Sequence, residues 1–275
     1  MNTFVRLSGD LSVFEKSFFR NLVALIIAFA VLRKNHESVE IPKGTAVPLL
    51  LRAFFGTIGL VCNYYAVDHM IMSDASMLAK MSPFYSIILC YFILKEKVTA
   101  PQIGLMLVAL AGSMLIIKPS AQIFSQPASL IAFIGGFCAA CAYTMLRILG
   151  LKKVNSHVTV FIFSVLSCLS MIPFIAMDFT MPTLRQLVLL MLAGLTAAGG
   201  QYGLTYGYSF APASEISIYD YSQVVFNALM GYLMFQQLAD GYSMAGYVII
   251  IGAAIVMGIY NDRRGRAEAS RIPAK

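Results

Sequence analysis

One apolar stretch, Ser73–Lys97, decides how the chain folds, and it reads SDASMLAKMSPFYSIILCYFILKEK. It begins with a polar turn, continues as an apolar run long enough to cross a bilayer, and ends on a Lys-Glu-Lys cluster. Lys80 lies inside that run, about 13 Å from its helical start, and Pro83 follows it. A charge is costly inside a membrane, so we expect Lys80 to serve a functional site and not to extend to the interface.

The composition as a whole is that of a membrane protein. Of 275 residues, 59% are hydrophobic and 12% are charged, and the mean hydropathy is +0.77. A water-soluble domain of this length needs more surface charge. The net charge of +7 is attributed to basic loops that set orientation, so no nucleic-acid partner is predicted. We predict an all-α, polytopic helix bundle in a lipid bilayer. Its nine predicted spans are Ser17–Leu32, Ala46–Val67, Ile71–Leu94, Thr99–Ile117, Ala128–Leu149, Val158–Met177, Gln186–Phe210, Ala213–Phe235 and Gly241–Tyr260.

An internal repeat emerges when the chain is shifted by 141 positions. The shift aligns Gly59 with Gly200, Tyr65 with Tyr206, Ser73 with Ser214, Ser76 with Ser217 and Tyr91 with Tyr232. It also aligns Asp74 with Glu215, so that both copies place a carboxylate at the start of a span. These two acidic residues suit helix N-termini, which attract negative charge, and a gating role is the alternative. The register of identities and span boundaries predicts a duplicated fold.

The first copy of the repeat is predicted to lack most of its opening helix. The shift aligns Met1–Gly9 with Ala142–Gly150, which is the end of a span that begins near Ala128. We therefore expect nine full spans plus a partial opening helix, and a ten-helix fold when the opening helix is complete.

Charge distribution predicts the orientation of the chain. With the C-terminus in the cytoplasm, most lysines and arginines fall on the cytoplasmic side, as the positive-inside rule requires. Five spans per copy then place the second copy upside down relative to the first. Inverted repeats are typical of secondary transporters whose site lies at the repeat interface near the bilayer midplane.

The sequence resembles the EamA-type transporters of the drug/metabolite transporter superfamily. The resemblance rests on Gly56–Pro119 and its second copy, Gly199–Leu238, in which Gln236-Gln237 replaces the Lys95-Glu96 of the first copy. It implies two EamA-like repeats, at residues 1–118 and 127–261, followed by a basic cytoplasmic tail at 262–275. It further implies alternating-access transport of a small metabolite, and it makes Arg20 an inter-helix or gating contact.

The candidate site centres on Lys80 and Asp220. The 141-residue shift places Tyr221 opposite Lys80, so Asp220 lies next to the counterpart of the lysine. We predict an ion pair or a shared polar cavity, which a substrate or protonation of Asp220 could open. The predicted substrate-binding residues are Lys80, Asp220, Asn63, Tyr64, Tyr206, Gln223 and Asn227. Close helix packing is predicted at Gly199, Gly203 and Gly207, which form a small-xxx-small pattern.

No catalytic, metal or cofactor site is predicted. The five cysteines all fall in apolar runs, and only Cys138 and Cys141 have a metal or redox spacing, without a second pair. The three histidines lie in loops or at span ends.

The leading prediction is a secondary active transporter for a small polar or amphipathic metabolite in the bacterial inner membrane. Proton or ion coupling and a homodimer are left open. The shortened opening helix leaves a non-transporting sensor or pseudo-transporter as an alternative. An intramembrane enzyme is less favoured, since Tyr219-Asp220 has no second aspartate motif.

Overall fold

The fold is a bundle of helices, seen in a computed structural model that describes residues 2–9, 11–69, 72–118, 127–177, 179–235 and 240–269. In this part of the chain no β-strand occurs, as predicted. In chain order the α-helices are α1 (Asn2–Leu7), α2 (Val13–Lys34), α3 (Ala46–His69), α4 (Met72–Ala79), α5 (Ser82–Leu94), α6 (Ala100–Ile117), α7 (Pro127–Leu151), α8 (Ser156–Met177), α9 (Leu184–Phe210), α10 (Ala213–Ile216), α11 (Ser222–Phe235) and α12 (Gly241–Ala269), with a 3₁₀ helix at Ser217–Tyr221.

Several helices begin at capping boxes written in the sequence. At the start of α2, the Glu15 N–H donates to the Ser12 hydroxyl at 3.1 Å, and the Ser12 N–H donates to the Glu15 carboxylate at 3.0 Å. Thr183 and Gln186 form the same reciprocal arrangement at the start of α9. These side chains satisfy N–H groups at the helix starts that have no partner within the helix.

Seven described helical segments are long and apolar enough to cross a membrane. The predicted span Ser17–Leu32 lies within α2. This helix is not one of the seven segments, because it carries too many charged residues. The predicted span Ala213–Phe235 is divided among α10, the 3₁₀ helix and α11. The count of nine spans with a partial opening helix therefore stays a prediction. Large apolar side chains such as Phe92 (72% exposed) and Val248 (70% exposed) cover the outer surface, as a lipid-facing surface requires.

Helix boundaries in the two halves can be compared at the 141-residue shift. α3 ends at His69 and α9 at Phe210, and α6 begins at Ala100 and α12 at Gly241; both pairs differ by 141 positions. The break between α4 and α5 also has its counterpart, in the 3₁₀ helix between α10 and α11. The inversion of one half relative to the other stays a prediction.

Close helix crossings are made at glycines other than most of those predicted. A methyl group added to Gly59 on α3 would lie 3.1 Å from the Gly135 carbonyl oxygen of α7, and one added to Gly246 on α12 would lie 2.6 Å from the Gly112 carbonyl oxygen of α6. At Gly199 and Gly203, by contrast, an added methyl group would meet no described atom within 4 Å. The packing prediction is therefore wrong at these two positions, whose face of α9 has no described helix against it. At Gly207 the added group would contact Ile216, 3.4 Å away.

Candidate functional site

The predicted helix around Lys80 is broken at the lysine itself. α4 ends at Ala79, Lys80 and Met81 form a turn, and α5 begins at Ser82 with Pro83 in its first turn. Proline lacks an N–H and its ring clashes with the carbonyl four residues earlier, which here belongs to Ala79. The Ser82 hydroxyl donates to that carbonyl at 2.9 Å and so satisfies it. The sequence S-P thus both creates the break and compensates for it.

The second break is the 3₁₀ helix Ser217–Tyr221. The 141-residue shift aligns its last residue, Tyr221, with Lys80, so the chain departs from α-helical geometry at this matching position in both halves, although the counterparts of Ser217–Asp220 are α-helical in α4. A 3₁₀ segment inside a longer helix often marks a hinge or a functional site, because its hydrogen-bond geometry is poorer than that of an α-helix.

Side chains at each of the two helix breaks form hydrogen bonds with groups at the other break. The Lys80 ammonium donates to the Asp220 backbone carbonyl at 2.9 Å and to the Gln223 side-chain oxygen at 2.6 Å. In return, the Tyr221 hydroxyl donates to the Lys80 carbonyl at 3.1 Å. Lys80 is 7% exposed and Tyr221 is fully buried. Residues at equivalent positions of the two halves therefore cross-link the breaks.

Of the two arrangements predicted for Lys80 and Asp220, an ion pair or a shared polar cavity, the structure shows no direct contact between the two charged groups. Within the described part of the chain, the Lys80 ammonium contacts the carbonyl oxygen of Asp220 and not its carboxylate. The lysine and the carboxylate still interact electrostatically at longer range. The 3₁₀ turn accounts for the difference, because it presents the backbone of Asp220 to the lysine.

Arg52 is a buried residue that was not among the predicted binding residues. It lies on α3 with only 3% of its surface exposed, and its Nη2 donates to the Gln201 side-chain oxygen of α9 at 2.9 Å. The guanidinium lies 4.1 Å over the ring of Phe163. Gly56, one helical turn further along, makes room for it, since a methyl group there would come within 2.1 Å of Arg52 Nη1. A glycine four residues after an arginine in an apolar span was the available signal.

Tyr143 on α7 connects Arg52 to the helix breaks and was also missed. Its phenol interacts electrostatically with Arg52 and with the Asp220 carboxylate. Its ring stacks on Tyr208 with 5.2 Å between centroids, and the Tyr208 hydroxyl lies 3.2 Å from the Ser217 hydroxyl of the 3₁₀ helix. Polar groups from both halves thus lie along one polar region, in which Arg52 and Lys80 are buried, Tyr143, Gln201 and Asp220 are partly buried and Gln223 is exposed.

Three other predicted binding residues lie on α3 and α9 with different partners. The Tyr206 hydroxyl lies 3.0 Å from His157 Nε2, which is 3.9 Å from a Glu37 carboxylate oxygen, so Tyr206 belongs to a separate cluster. The Tyr64 hydroxyl is buried without a hydrogen-bond partner among the described residues, and its phenol interacts electrostatically with Arg20. Asn63 is half-buried and forms no hydrogen bond within that same part of the chain. Their roles stay predictions.

The remaining predicted residues lie at helix ends or outside the described side chains. Glu215 lies in the first turn of α10, as a helix-start acid should. Arg20 is buried within α2 and its Nη1 donates to the Asn21 side-chain oxygen at 3.2 Å; the Asn21 amide in turn donates to Ser167 of α8 at 2.7 Å. The side chains of Asp74 and Asn227 lie outside the described part of the structure.

Comparison with known proteins identifies the family. The profile of the EamA-like transporter family matches residues 3–118 and residues 126–259. The chain belongs to the EamA-like transporter family. The resemblance that the sequence suggested is therefore confirmed, and this EamA-family chain is an integral membrane protein.

The relatives of this EamA-family chain include named transporters. The pseudopaline exporter of Pseudomonas aeruginosa is 31% identical over 259 residues, which cover 94% of this chain and 90% of the exporter. The S-adenosylmethionine uptake transporter of Rickettsia bellii is 26% identical over 273 residues, which cover 95% and 89%. A protein of known crystal structure, 14% identical, superimposes with a TM-score of 0.81 over 94% of this chain and 92% of that protein, and this likeness concerns the fold alone. The names of the relatives support a transport function for this chain.

Proposed function

We propose that the chain is a secondary active transporter that moves a small polar or amphipathic organic solute across the membrane. Transport would proceed by alternating access between two inverted repeats, at residues 1–118 and 127–261. The observation that carries the proposal is the pair of mutually satisfied helix breaks at Lys80 and Tyr221. Discontinuous helices near the bilayer midplane are the recurring way in which secondary transporters build a site.

The hydrogen bonds at the breaks are of a kind that a solute can replace. A carbonyl that has left the helix must find a partner, because lipid offers none. The Asp220 carbonyl accepts from the side chain of Lys80, in the other half of the molecule, in addition to the Ser222 N–H of its own turn. Exchange of such a bond for a bond to solute would loosen the contact between the halves, which is what a change of access requires.

Asp220 is the proposed coupling residue. Its carboxylate interacts electrostatically with Lys80 without contacting the lysine ammonium. A proton or a cation that neutralised this carboxylate would change the charge balance at the breaks and so favour one arrangement of the halves. We further propose the bacterial inner membrane as the location, with the basic tail at 262–275 in the cytoplasm.

Counterflow in proteoliposomes tests the proposal whatever the driving ion is, because a solute gradient drives the exchange. The purified full chain is reconstituted, loaded with one unlabelled solute at a time, and assayed for uptake of the labelled solute in the absence of ATP. We expect one or more small organic solutes to exchange. We expect Lys80→Met to reduce the exchange at least 100-fold, because it removes the donor that links the two breaks.

Lys97→Met is the matched control, since Lys97 is exposed beyond the end of α5. It should leave exchange within about twofold of the unaltered chain. Absence of exchange for every solute in the panel would contradict transport and favour the sensor alternative. Exchange that survives in Lys80→Met would contradict the role given to the helix breaks.

A further inference from the structure

The guanidinium of Arg52 has one edge that is only half satisfied. Its Nη2 donates to Gln201, whereas its buried Nε has no hydrogen-bond partner among the described residues. In a planar guanidinium, the Nε–H and one Nη2–H point in the same direction and form a two-pronged donor. A single amide oxygen from Gln201 occupies one prong and leaves the other empty. A buried N–H without a partner is costly, so its presence at a membrane-embedded site calls for a ligand.

The surroundings of Arg52 hold this edge in a fixed orientation. The ring of Phe163 covers one face of the guanidinium at 4.1 Å. Gly56 leaves open the space that the guanidinium occupies, which any larger side chain at position 56 would fill. Such a fixed plane loses little side-chain entropy when it binds. The arrangement has the properties of a built site and not those of an arginine that extends to the membrane surface.

The charge of Arg52 is also uncompensated by protein. In the described part of the chain Arg52 forms no ion pair, and its electrostatic neighbours are the neutral phenol of Tyr143 and a second cation, Arg20. A buried guanidinium next to another positive charge attracts an anion. A carboxylate fits the open edge, because its two oxygens match the two parallel N–H groups of the guanidinium.

We infer that the transported solute carries a carboxylate group, which binds the Nε and Nη2 of Arg52 and displaces the Gln201 amide. This inference rests on the proposed transport function and names the chemical class of its substrate. The remainder of the solute would extend past Tyr143, whose ring stacks on Tyr208 next to Ser217 of the 3₁₀ helix, toward Asp220 and Lys80. Carboxylate binding at one end would thereby be communicated to the helix breaks.

The absence of tryptophan from the chain makes a selective binding assay possible. Phe163→Trp places a single indole over the guanidinium and keeps an aromatic face against the cation. Phe92→Trp, at a position that is 72% exposed on the outer surface, is the control reporter. The full chain is titrated in detergent with matched pairs that differ only in charge, namely lactate and lactamide, alanine and alaninamide, and glutarate and glutaramide. Methylphosphonate is included as a different oxyanion.

We expect at least one carboxylate to change the fluorescence of the Phe163→Trp protein saturably, while its amide and methylphosphonate do not. Phe92→Trp should not respond. Addition of Arg52→Gln should weaken the carboxylate response on the order of 10- to 100-fold, the effect of losing charge-assisted hydrogen bonds. Arg52→Lys keeps the charge but removes the two-pronged donor, so it should lose most of the affinity as well. As a readout that needs no variant, the same carboxylates should inhibit counterflow by the unaltered chain.

Several results would overturn the inference. These are equal responses to a carboxylate and its amide, full carboxylate affinity in the Arg52→Gln background, a stronger response to methylphosphonate, or counterflow of a neutral solute with no carboxylate response. Failure of the proposed function looks different: no solute exchanges in counterflow, yet carboxylates still bind in the fluorescence assay.

Discussion

The two interrupted helices of this bundle share a backbone design and differ in charge. In the first, α4 and α5 are separated at Lys80, and Glu96 follows the end of α5. In the second, α10 and α11 are separated by a 3₁₀ segment that carries Tyr221 at the position of the lysine, with Asp220 just before it. Ala79 is the residue that the 141-residue shift aligns with Asp220. The break is thus common to both halves, whereas each half holds one of the two opposite charges.

This difference separates the parts of the site that serve architecture from those that serve function. Both breaks need hydrogen-bond partners in lipid, and a tyrosine hydroxyl meets that need as well as an ammonium does. A neutral residue would therefore suffice at position 80 if architecture were the only requirement. The presence of a lysine there, with a carboxylate in the other half, points to the charge itself as the functional element.

The largest effect is expected when the carboxylate of the second half is removed. Asp220→Asn leaves the backbone contact to Lys80 possible but removes the negative charge that faces the buried lysine. The buried lysine would lose its long-range counter-charge in the other half, so we expect transport to fall by roughly 100-fold or more. The counterflow rate is the measurement. Asp262→Asn is the control, because Asp262 lies on an exposed stretch of α12 and pairs with Arg266. Full transport by Asp220→Asn would remove this residue from the mechanism.

The second prediction concerns the residue that follows the first interrupted helix. Glu96 accepts a hydrogen bond from Arg147 of α7, and its other oxygen accepts from the Ala213 N–H at 3.2 Å, so it ties the end of α5 to the start of α10. Both side chains of the ion pair are about nine-tenths buried. Glu96→Gln should destabilise the chain by about 2–4 kcal/mol, because Arg147 loses its counter-charge.

The measurement is the thermal unfolding midpoint in detergent. Lys118→Gln is the matched control, since Lys118 pairs with Asp240 where both side chains are about half exposed. The Glu96→Gln midpoint should fall by several degrees and that of Lys118→Gln should hardly change. Equal shifts in the two variants would mean that burial does not distinguish these pairs.

Many features of the two interrupted helices could be predicted from the sequence, because they are visible in the order of the residues. Lys80 inside an apolar run, the SDAS and SEIS starts and the 141-residue register all depend on residue order alone. The shift even placed Tyr221 opposite Lys80, where the structure finds a hydrogen bond between them. Pro83 marks the first break in the sequence, but the prediction ran a single span, Ile71–Leu94, through it.

The features of the site and of the helix packing that the sequence did not predict depend on contacts between segments that are distant in the chain. Arg52 resembles an end-of-span arginine until Gln201, Phe163 and Gly56 are brought around it. The small-residue pattern on α9 suggested helix packing, yet the close crossings lie elsewhere, because a glycine spacing does not show whether a helix faces it. The ion pair or shared cavity at Asp220 was predicted from the 141-residue shift and from matched depth, and neither can reveal that a 3₁₀ turn presents a carbonyl to Lys80.

A smaller effect is expected at the tyrosine that occupies the position of Lys80 in the second half. Tyr221→Phe removes one hydrogen bond, to the Lys80 carbonyl, and keeps the buried ring. The loss should be about 1 kcal/mol in stability, with transport reduced no more than about fivefold. Tyr91→Phe, at a half-exposed position, is the control. A loss of transport as large as that of Lys80→Met would show that the two positions are functionally equivalent, and the proposed division between architecture and charge would be wrong.

The smallest effect is expected at the charge that precedes α12, after the second interrupted helix. The pKa of Asp240 is lowered to about 2, first by its hydrogen bond from Lys118 and then by that from Ser243. A carboxyl group whose pKa is lower in the folded than in the unfolded chain stabilises the fold above the unfolded pKa, near 4. That contribution disappears as the pH falls from about 4 to about 2. The unfolding midpoint of the unaltered chain should therefore drop slightly more over this range than that of Asp240→Asn. Identical pH profiles would mean that the Lys118–Asp240 pair is not maintained in solution.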